Sequence, residues 1–273
     1  LTVSTKNIVS KDFSWSTNAT FSKSKLEITK LETNARILDF ITGEGYASVG
    51  HENMALFSIP FVRLDAEGIP LFITDDDGNI GRYVYFQDRD NVHFLKYEGP
   101  SEPNITGGLG NTLRYKNFRL NLFVTYSFGN KLRLPTVFAS SYSDLSSMPK
   151  EFYNRWVLPG DENYTNIPAI MTTRESAKES SVRYAYSAYN YSDVRVADGG
   201  FVRLKDVSLT YDVPNRILSA IKAKNISVKL QATNVLLLYA DDKLNGADPE
   251  YFQSGGVSHP VPKQYTLTLQ LGF

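Results

Sequence analysis

Cysteine is absent from the 273 residues, which removes every disulfide and every thiolate metal site. No apolar run of about 18 residues occurs, so no helix is expected to cross a membrane. Strands escape that test, because their alternation keeps mean hydropathy low, here −0.27. An excess of one charge is also missing. Lys plus Arg number 29 and Asp plus Glu number 29, so no global basic field recruits nucleic acid as a main partner. Histidine is scarce. His51, His93 and His259 are the only three, and none has a metal spacing such as i, i+4. No metal or other cofactor is expected. What the chain holds in quantity is aromatic, with 17 Tyr and 16 Phe against 2 Trp. Such residues favour strands and also populate the girdles of membrane barrels.

The clearest pattern is the final stretch. Tyr265, Leu267, Leu269, Leu271 and Phe273 alternate with Thr266, Thr268, Gln270 and Gly272. Successive strand side chains point to opposite faces, so this segment has one apolar face and one polar or small face. Its length fits the roughly 9–11 residues a tilted strand needs to cross a bilayer. By itself it serves a soluble sandwich equally well.

Further strands follow the same rule. Leu1 to Val9 alternates loosely, and Phe13, Trp15, Thr17, Ala19 and Phe21 share a face. Ala55 to Leu64 is apolar enough for a strand, though Pro60 makes it an edge, a bulge or a strand end. Leu109, Leu113 and Tyr115 lead through a Lys116-Asn117 turn into Phe118, Leu120, Leu122, Val124, Tyr126 and Phe128. Tyr115 and Phe118 flank that turn on one face, as a two-residue hairpin demands. Val202 and Leu204 are out of phase with Val207, Leu209 and Tyr211, so a bulge is expected near Lys205-Asp206. Ile226, Val228, Leu230 and Ala232 complete the set. Short helices are expected over Pro149–Trp156 and Pro214–Ala223.

Between the strands lie long polar segments: Asp65 to Gly99, Asn130 to Gly199 and Tyr239 to Pro262. Asp75-Asp76-Asp77-Gly78-Asn79 lacks EF-hand spacing, since that loop wants Gly at its sixth position, and reads as an exposed acidic turn. A seventy-residue excursion sits badly in a compact domain and well in a barrel with short turns on one side and long loops on the other. The expected fold is therefore all-β: an antiparallel transmembrane β-barrel segment, about eight strands of a larger plugged barrel, with long extracellular loops. Leu1-Thr-Val-Ser-Thr5 already alternates and no signal peptide precedes it, so the chain is expected to be a piece or processed product of a longer polypeptide.

Several segments, in order, resemble the SusC/RagA family of TonB-dependent outer-membrane transporters of Bacteroidetes. They are Asp12-Phe-Ser-Trp-Ser-Thr17, Gly107-Gly-Leu-Gly-Asn-Thr112 with Tyr115-Lys-Asn-Phe118, and Arg155-Trp156 with Pro159-Gly-Asp161. Gly200-Phe-Val-Arg-Leu-Lys-Asp-Val-Ser-Leu-Thr-Tyr211, Gln231-Ala-Thr-Asn-Val235 and Asp248-Pro-Glu250 follow, and the terminal strand closes the series. Ala232 and Thr233 depart slightly from the family pattern.

The resemblance implies that residues 1–273 form the C-terminal part of the barrel, with the plug domain and the N-terminal strands absent. It implies an outer-membrane location in a Gram-negative bacterium. The function would be import of glycan or peptide nutrients. The partners would be a SusD-like surface lipoprotein, TonB through the missing N-terminal part, the remaining strands and plug, and outer-membrane lipid. It also makes Phe273, with Leu271, Leu269 and Tyr265, an assembly signal. Trp156, Asp161 and the tyrosines Tyr184, Tyr186, Tyr189 and Tyr191 stand as candidates for a partner or ligand loop.

Two other readings stay open. A soluble carbohydrate-binding β-domain would use the same tyrosines to stack on sugar rings. An outer-membrane barrel hydrolase would need a Ser or Asp beside a His on adjacent strands, and no His falls on a strand by this reading. The chain is not expected to be an enzyme.

Overall fold

The computed structural model describes residues 1–43, 45–136, 150–171, 174, 177, 180–220, 222–252 and 262–272. The chain opens with β1 (Thr2–Val9) and β2 (Phe13–Lys23). Five short strands follow: β3 (Ala55–Ser58), β4 (Phe61–Leu64), β5 (Pro70–Ile73), β6 (Ile80–Gly81) and β7 (Lys96–Pro100). The long hairpin is β8 (Ile105–Tyr115) and β9 (Phe118–Phe128). Two short strands, β10 (Lys131–Arg133) and β11 (Val196–Asp198), precede β12 (Phe201–Asp212), β13 (Asn225–Tyr239) and β14 (Gln264–Gly272).

Seven strands make one sheet in the order β1-β2-β8-β9-β12-β13-β14, with every neighbouring pair antiparallel. Register keeps the two faces apart across its full width. Trp15, Leu113, Leu120, Leu209, Leu230 and Leu267 stand opposite one another in turn, an apolar row across six strands. One residue along, Ser16, Thr112, Asn121, Ser208, Gln231 and Thr266 form the matching polar row. Thr112 Oγ1 donates to Asn121 Oδ1 at 2.9 Å, and Asn121 Nδ2 donates to Ser208 Oγ at 3.2 Å.

Lys205 is the expected bulge. Pairing steps from Leu204–Val124 to Asp206–Phe123 on one side, and from Leu204–Leu236 to Asp206–Thr233 on the other. The skipped residue returns Val207 and Leu209 to the face of Val202 and Leu204. The hairpin turn is also as read. Tyr115 pairs with Phe118, and Lys116 takes φ 50°, the left-handed conformation of a tight turn.

Aromatic rings mark both ends of the apolar face. Phe118 and Tyr211 lie 4.8 Å apart at the turn end, with Phe13 and Tyr115 in the same row. Tyr126, Phe128 and Tyr239 follow one another at 6.2 Å at the loop end. The ten residue steps of β9 between these ends cover about 33 Å, or about 25 Å at a tilt of ~40°, the height of the apolar band of a membrane barrel.

Seven of the eight expected strands occupy this sheet. Ala55 to Leu64 does not. Pro60 offers no N–H to a ladder, and the segment divides there into β3, paired with β7, and β4, paired with β5. These short strands belong to a separate core. Ile37, Ile41, Phe57, Ile59, Ile69, Phe72 and Leu95 of the first excursion pack with Phe152, Val182, Ala185, Tyr186 and Tyr189 of the second. The segments between strands, polar and irregular in sequence, thus fold on one another. The expected short helices appear as a 3-10 turn at Lys150–Asn154 and a helix at Asn215–Ala220.

One glycine is demanded by close approach. Tyr126 Oη donates to Thr20 O at 3.0 Å across Gly107, and a Cβ at 107 would fall on both oxygens. Gly107→Val is expected to destabilise the β2–β8 pair by about 1–3 kcal/mol, the usual cost of overpacking. The check is the temperature at which the folded, heat-modifiable band is lost on electrophoresis. An unchanged temperature would show that the close approach is dispensable.

Candidate binding surfaces of the loop core and the polar face

Trp156 and Asp161 sit in one turn and hold it together. Asp161 accepts from Val157 N at 3.0 Å and Leu158 N at 2.9 Å, and these backbone donors hold its carboxyl below the usual range. Trp156 Nε1 donates to Glu162 Oε2 at 3.0 Å, and its ring lies on Gly68, where no side chain would fit. Gly68 closes the turn whose Asp65 is clamped by Arg82 at 2.6 Å. The motif residues therefore lock the second excursion onto the first. The residues this turn displays outward are others: Tyr153, 86% exposed, Tyr164, 90% exposed, and Val157 and Leu158 between them.

The four tyrosines of the run separate into different environments. Tyr186 and Tyr189 lie on the inner side of the helix Ser180–Asn190 and are buried. Tyr186 Oη donates to Ala169 O at 2.7 Å. Tyr189 faces Arg195, and burial pushes its phenol up to about 12. Tyr191 is half-buried against Phe86, with the Arg133 guanidinium 5.7 Å from its ring. Only Tyr184 among them is presented to solvent, edge-on to Tyr83 at 4.9 Å with Tyr85 beyond. Tyr186 and Tyr189 are thus packing residues in this arrangement. The helical spacing of Val182, Ala185, Tyr186 and Tyr189 carried that signal in the sequence.

Charged groups join the excursions. Arg133 of β10 is buried under β3, donating to Phe57 O, and burial pushes its pKa down to about 10. Glu98 of β7 is raised by burial. Lys96 bridges Asp193 at 3.0 Å. Arg195, buried, pairs with Glu151 at 2.6 Å.

A second device closes over the polar face. Arg203 of β12 is 5% exposed and is paired with Asp248, with Glu250 at 3.2 Å from its Nε. Lys205, the bulge residue, also reaches Glu250, at 3.3 Å. Asp248 caps its own turn by accepting from Glu250 N at 3.1 Å. The segment from Asp242 to Tyr251 is fastened to the sheet by these charges.

The remaining candidates are scattered over the molecule. Tyr265, 79% exposed, and Leu269 and Leu271 lie on the apolar face of the edge strand β14, while Phe273 lies outside the described residues. His51 stacks on Tyr97 at 4.2 Å, His93 is exposed, and His259 lies outside the described residues. Asp75 accepts from Asn79 N and Nδ2 at 3.1 and 2.9 Å, which lowers its pKa, so the acidic turn is closed on itself. Among the described residues no group of three His, Asp or Glu could hold a metal.

A scan against protein-family models finds no match. Curated relatives carry the names expected from the motifs. TonB-dependent receptor P3 of Formosa agariphila is 28% identical over 91% of this chain and 24% of its own length. TonB-dependent receptor P26 of the same organism is 25% identical over 99% of this chain and 28% of its own. The chain therefore spans about a quarter of each. Among solved structures, the RagAB peptide importer in its closed-closed state matches with a TM-score of 0.72 and 23% identity, over 99% of this chain and 28% of that one. Its open-open state gives 0.71 and 20%, over 100% and 28%. These likenesses bear out the resemblance to SusC/RagA-type transporters and the barrel fold. The relatives are receptors and transporters, not enzymes.

The fastening at Arg203 is open to test. Asp248→Asn leaves a buried cation with Glu250 alone and is expected to cost about 3 kcal/mol, the low end for breaking a buried pair. Hydrogen exchange of residues 242–251 should speed up with the rest of the sheet unchanged. Unaltered exchange would remove the fastening role.

Proposed function

We propose that this chain is the C-terminal barrel segment of an outer-membrane importer of glycan or peptide nutrients. The observation that carries the reading is the pair of rows in the sheet: Trp15 to Leu267 on one face, Ser16 to Thr266 on the other. In a bilayer the first row meets acyl chains and the second lines a wet lumen. A soluble domain would leave Leu230, Leu267, Leu269 and Leu271, all exposed here, in water. The edges β1 and β14 are to be paired by further strands, since an open edge in hydrocarbon leaves backbone groups unsatisfied at several kcal/mol each. Phe273, with Leu271, Leu269 and Tyr265, serves as an assembly signal. Energy from TonB would enter through a segment outside residues 1–273.

In this reading the turn Lys116-Asn117 is periplasmic and the loop core extracellular. A SusD-like surface lipoprotein rests on the outward residues of the 150–164 turn, and Tyr184 with Tyr83 and Tyr85 offers rings to the nutrient. A solved structure of like fold is named a peptide importer, and the curated relatives are named TonB-dependent receptors, names in keeping with nutrient import.

Two experiments test it. With cysteine introduced by Tyr164→Cys or Lys116→Cys, an impermeant thiol reagent should label the first in intact cells and leave the second untouched. The reverse pattern would invert or abolish the topology. In the complete protein, combining Tyr153→Ser, Leu158→Ser and Tyr164→Ser should reduce co-purified lipoprotein at least tenfold, about 1.4 kcal/mol, with barrel insertion intact. Full recovery of the lipoprotein would place its seat elsewhere.

A further inference from the structure

The chain is neutral as a whole, with 29 Lys and Arg against 29 Asp and Glu, yet its connections at the turn end of the sheet are not. Residues 10–12, 116–117 and 213–224 join β1 to β2, β8 to β9 and β12 to β13. They carry Lys11, Lys116, Arg216, Lys222 and Lys224, all exposed, against one carboxylate, Asp12. Asp212, at the end of β12, is taken up on the polar face. It reaches Arg119 at 3.3 Å and Arg114 at 3.8 Å, and the three line a basic cavity of about 540 Å³ together with Lys224 and Lys229. Lys11, Lys116, Arg216 and Lys222 are not among its lining residues. These four have no carboxylate of the described residues in ion-pair range.

Position gives the four a different neighbour. The Lys116 ammonium lies 5.4 Å over the ring of Tyr115. Tyr115 belongs, with Phe13, Phe118 and Tyr211, to the aromatic row that ends the apolar face. Lys116 therefore stands on the apolar side of the rim, at the depth where an aromatic girdle meets headgroups. Unpaired cations recur at three successive hairpins of the sheet, two strands or about 10 Å apart. Beside Arg216 the helix Asn215–Ala220 exposes Ile217, and an apolar side chain next to a cationic one suits a headgroup boundary.

We propose that this rim binds the phosphate groups of anionic phospholipid in the periplasmic leaflet. The charge sets the chemistry, since unpaired ammonium and guanidinium groups beside a girdle attract anionic headgroups more than zwitterionic ones. The distribution sets the source. A soluble anion needs donors that converge on one point, whereas these cations follow one another from hairpin to hairpin, as a leaflet meets them. The inference rests on the barrel reading above.

The test is native mass spectrometry of the complete, detergent-extracted protein, titrated with phosphatidylglycerol or with phosphatidylcholine of the same acyl chains. Phosphatidylglycerol should be retained preferentially. The fourfold variant Lys11→Gln, Lys116→Gln, Arg216→Gln, Lys222→Gln should retain at least tenfold less of it, with phosphatidylcholine unchanged. The control is Lys25→Gln with Lys30→Gln at the loop end, two exposed lysines already paired with Glu27 and Glu32 at 3.0 and 3.1 Å, which should keep the preference. Equal retention of the two lipids by the native protein, undiminished phosphatidylglycerol on the fourfold variant, or an equal loss in the control would each overturn the proposal. If the fourfold variant loses its heat-modifiable band, Lys116→Gln and Lys222→Gln alone should each show a smaller loss of phosphatidylglycerol, and no loss in either would overturn it. The labelling of residues 116 and 164 is independent of lipid. The expected labelling without a lipid preference would sink this inference alone, and reversed labelling would remove the reading beneath it.

Discussion

Backbone pairing across the seven-stranded sheet is the constraint on which the rest of the molecule depends. Once antiparallel register is set, a period of two decides which face each side chain joins, and a slip of one residue would exchange the faces. Six strands hold that register closely enough for Trp15 and Leu267, at opposite ends of a row, to face the same medium. Where β12 falls out of phase with β9, at Lys205, the pairing is corrected within one residue. That correction also sets a lysine beside Arg203, where both meet Glu250. A backbone irregularity thus becomes an attachment point.

Hydrophobic burial lies largely outside the sheet. The apolar face of the sheet is exposed, and the main buried cluster is made by the excursions between strands. This inverts the usual arrangement of a soluble domain, where a sheet covers its own apolar side. It also explains why charged side chains such as Arg133 and Arg195 are buried there. Arg133 donates to the Phe57 carbonyl, and Arg195 pairs with Glu151 and donates to the Pro135 carbonyl, each where irregular chain segments meet.

The sheet is legible in the sequence because its signals are local. The alternation of Tyr265 to Leu271, the Lys116-Asn117 turn and the phase change at Lys205 each need fewer than a dozen residues to be read. Pro60 is legible as a break, yet not as the point where β3 and β4 leave the main sheet altogether. The loop core is opaque for the opposite reason: Phe57 meets Tyr97 and Phe40, and Phe61 meets Tyr189, through chain separations no period reveals. Tyrosine compounds this. Along the chain Tyr184, Tyr186 and Tyr189 look like one run of rings, although their spacing places two on the buried side of a helix and one on the outer side. The basic cavity is invisible for a third reason. Arg114 and Arg119 flank one hairpin turn, but Lys229 joins their row only when β12 and β13 come into register beside it.

That the loop core draws on two separated excursions has a consequence for the order of events in biogenesis. Residues 37–95 and 152–189 are divided by the β8–β9 hairpin, so the chain between them must close before either can bury its apolar side chains. Closing so long a loop is entropically slow when both ends are free. The hairpin removes that freedom by anchoring the two excursions at the same rim. Strand pairing then acts as the template and the cap as its late product, and until pairing is done the apolar residues of both excursions are open to chaperones and proteases.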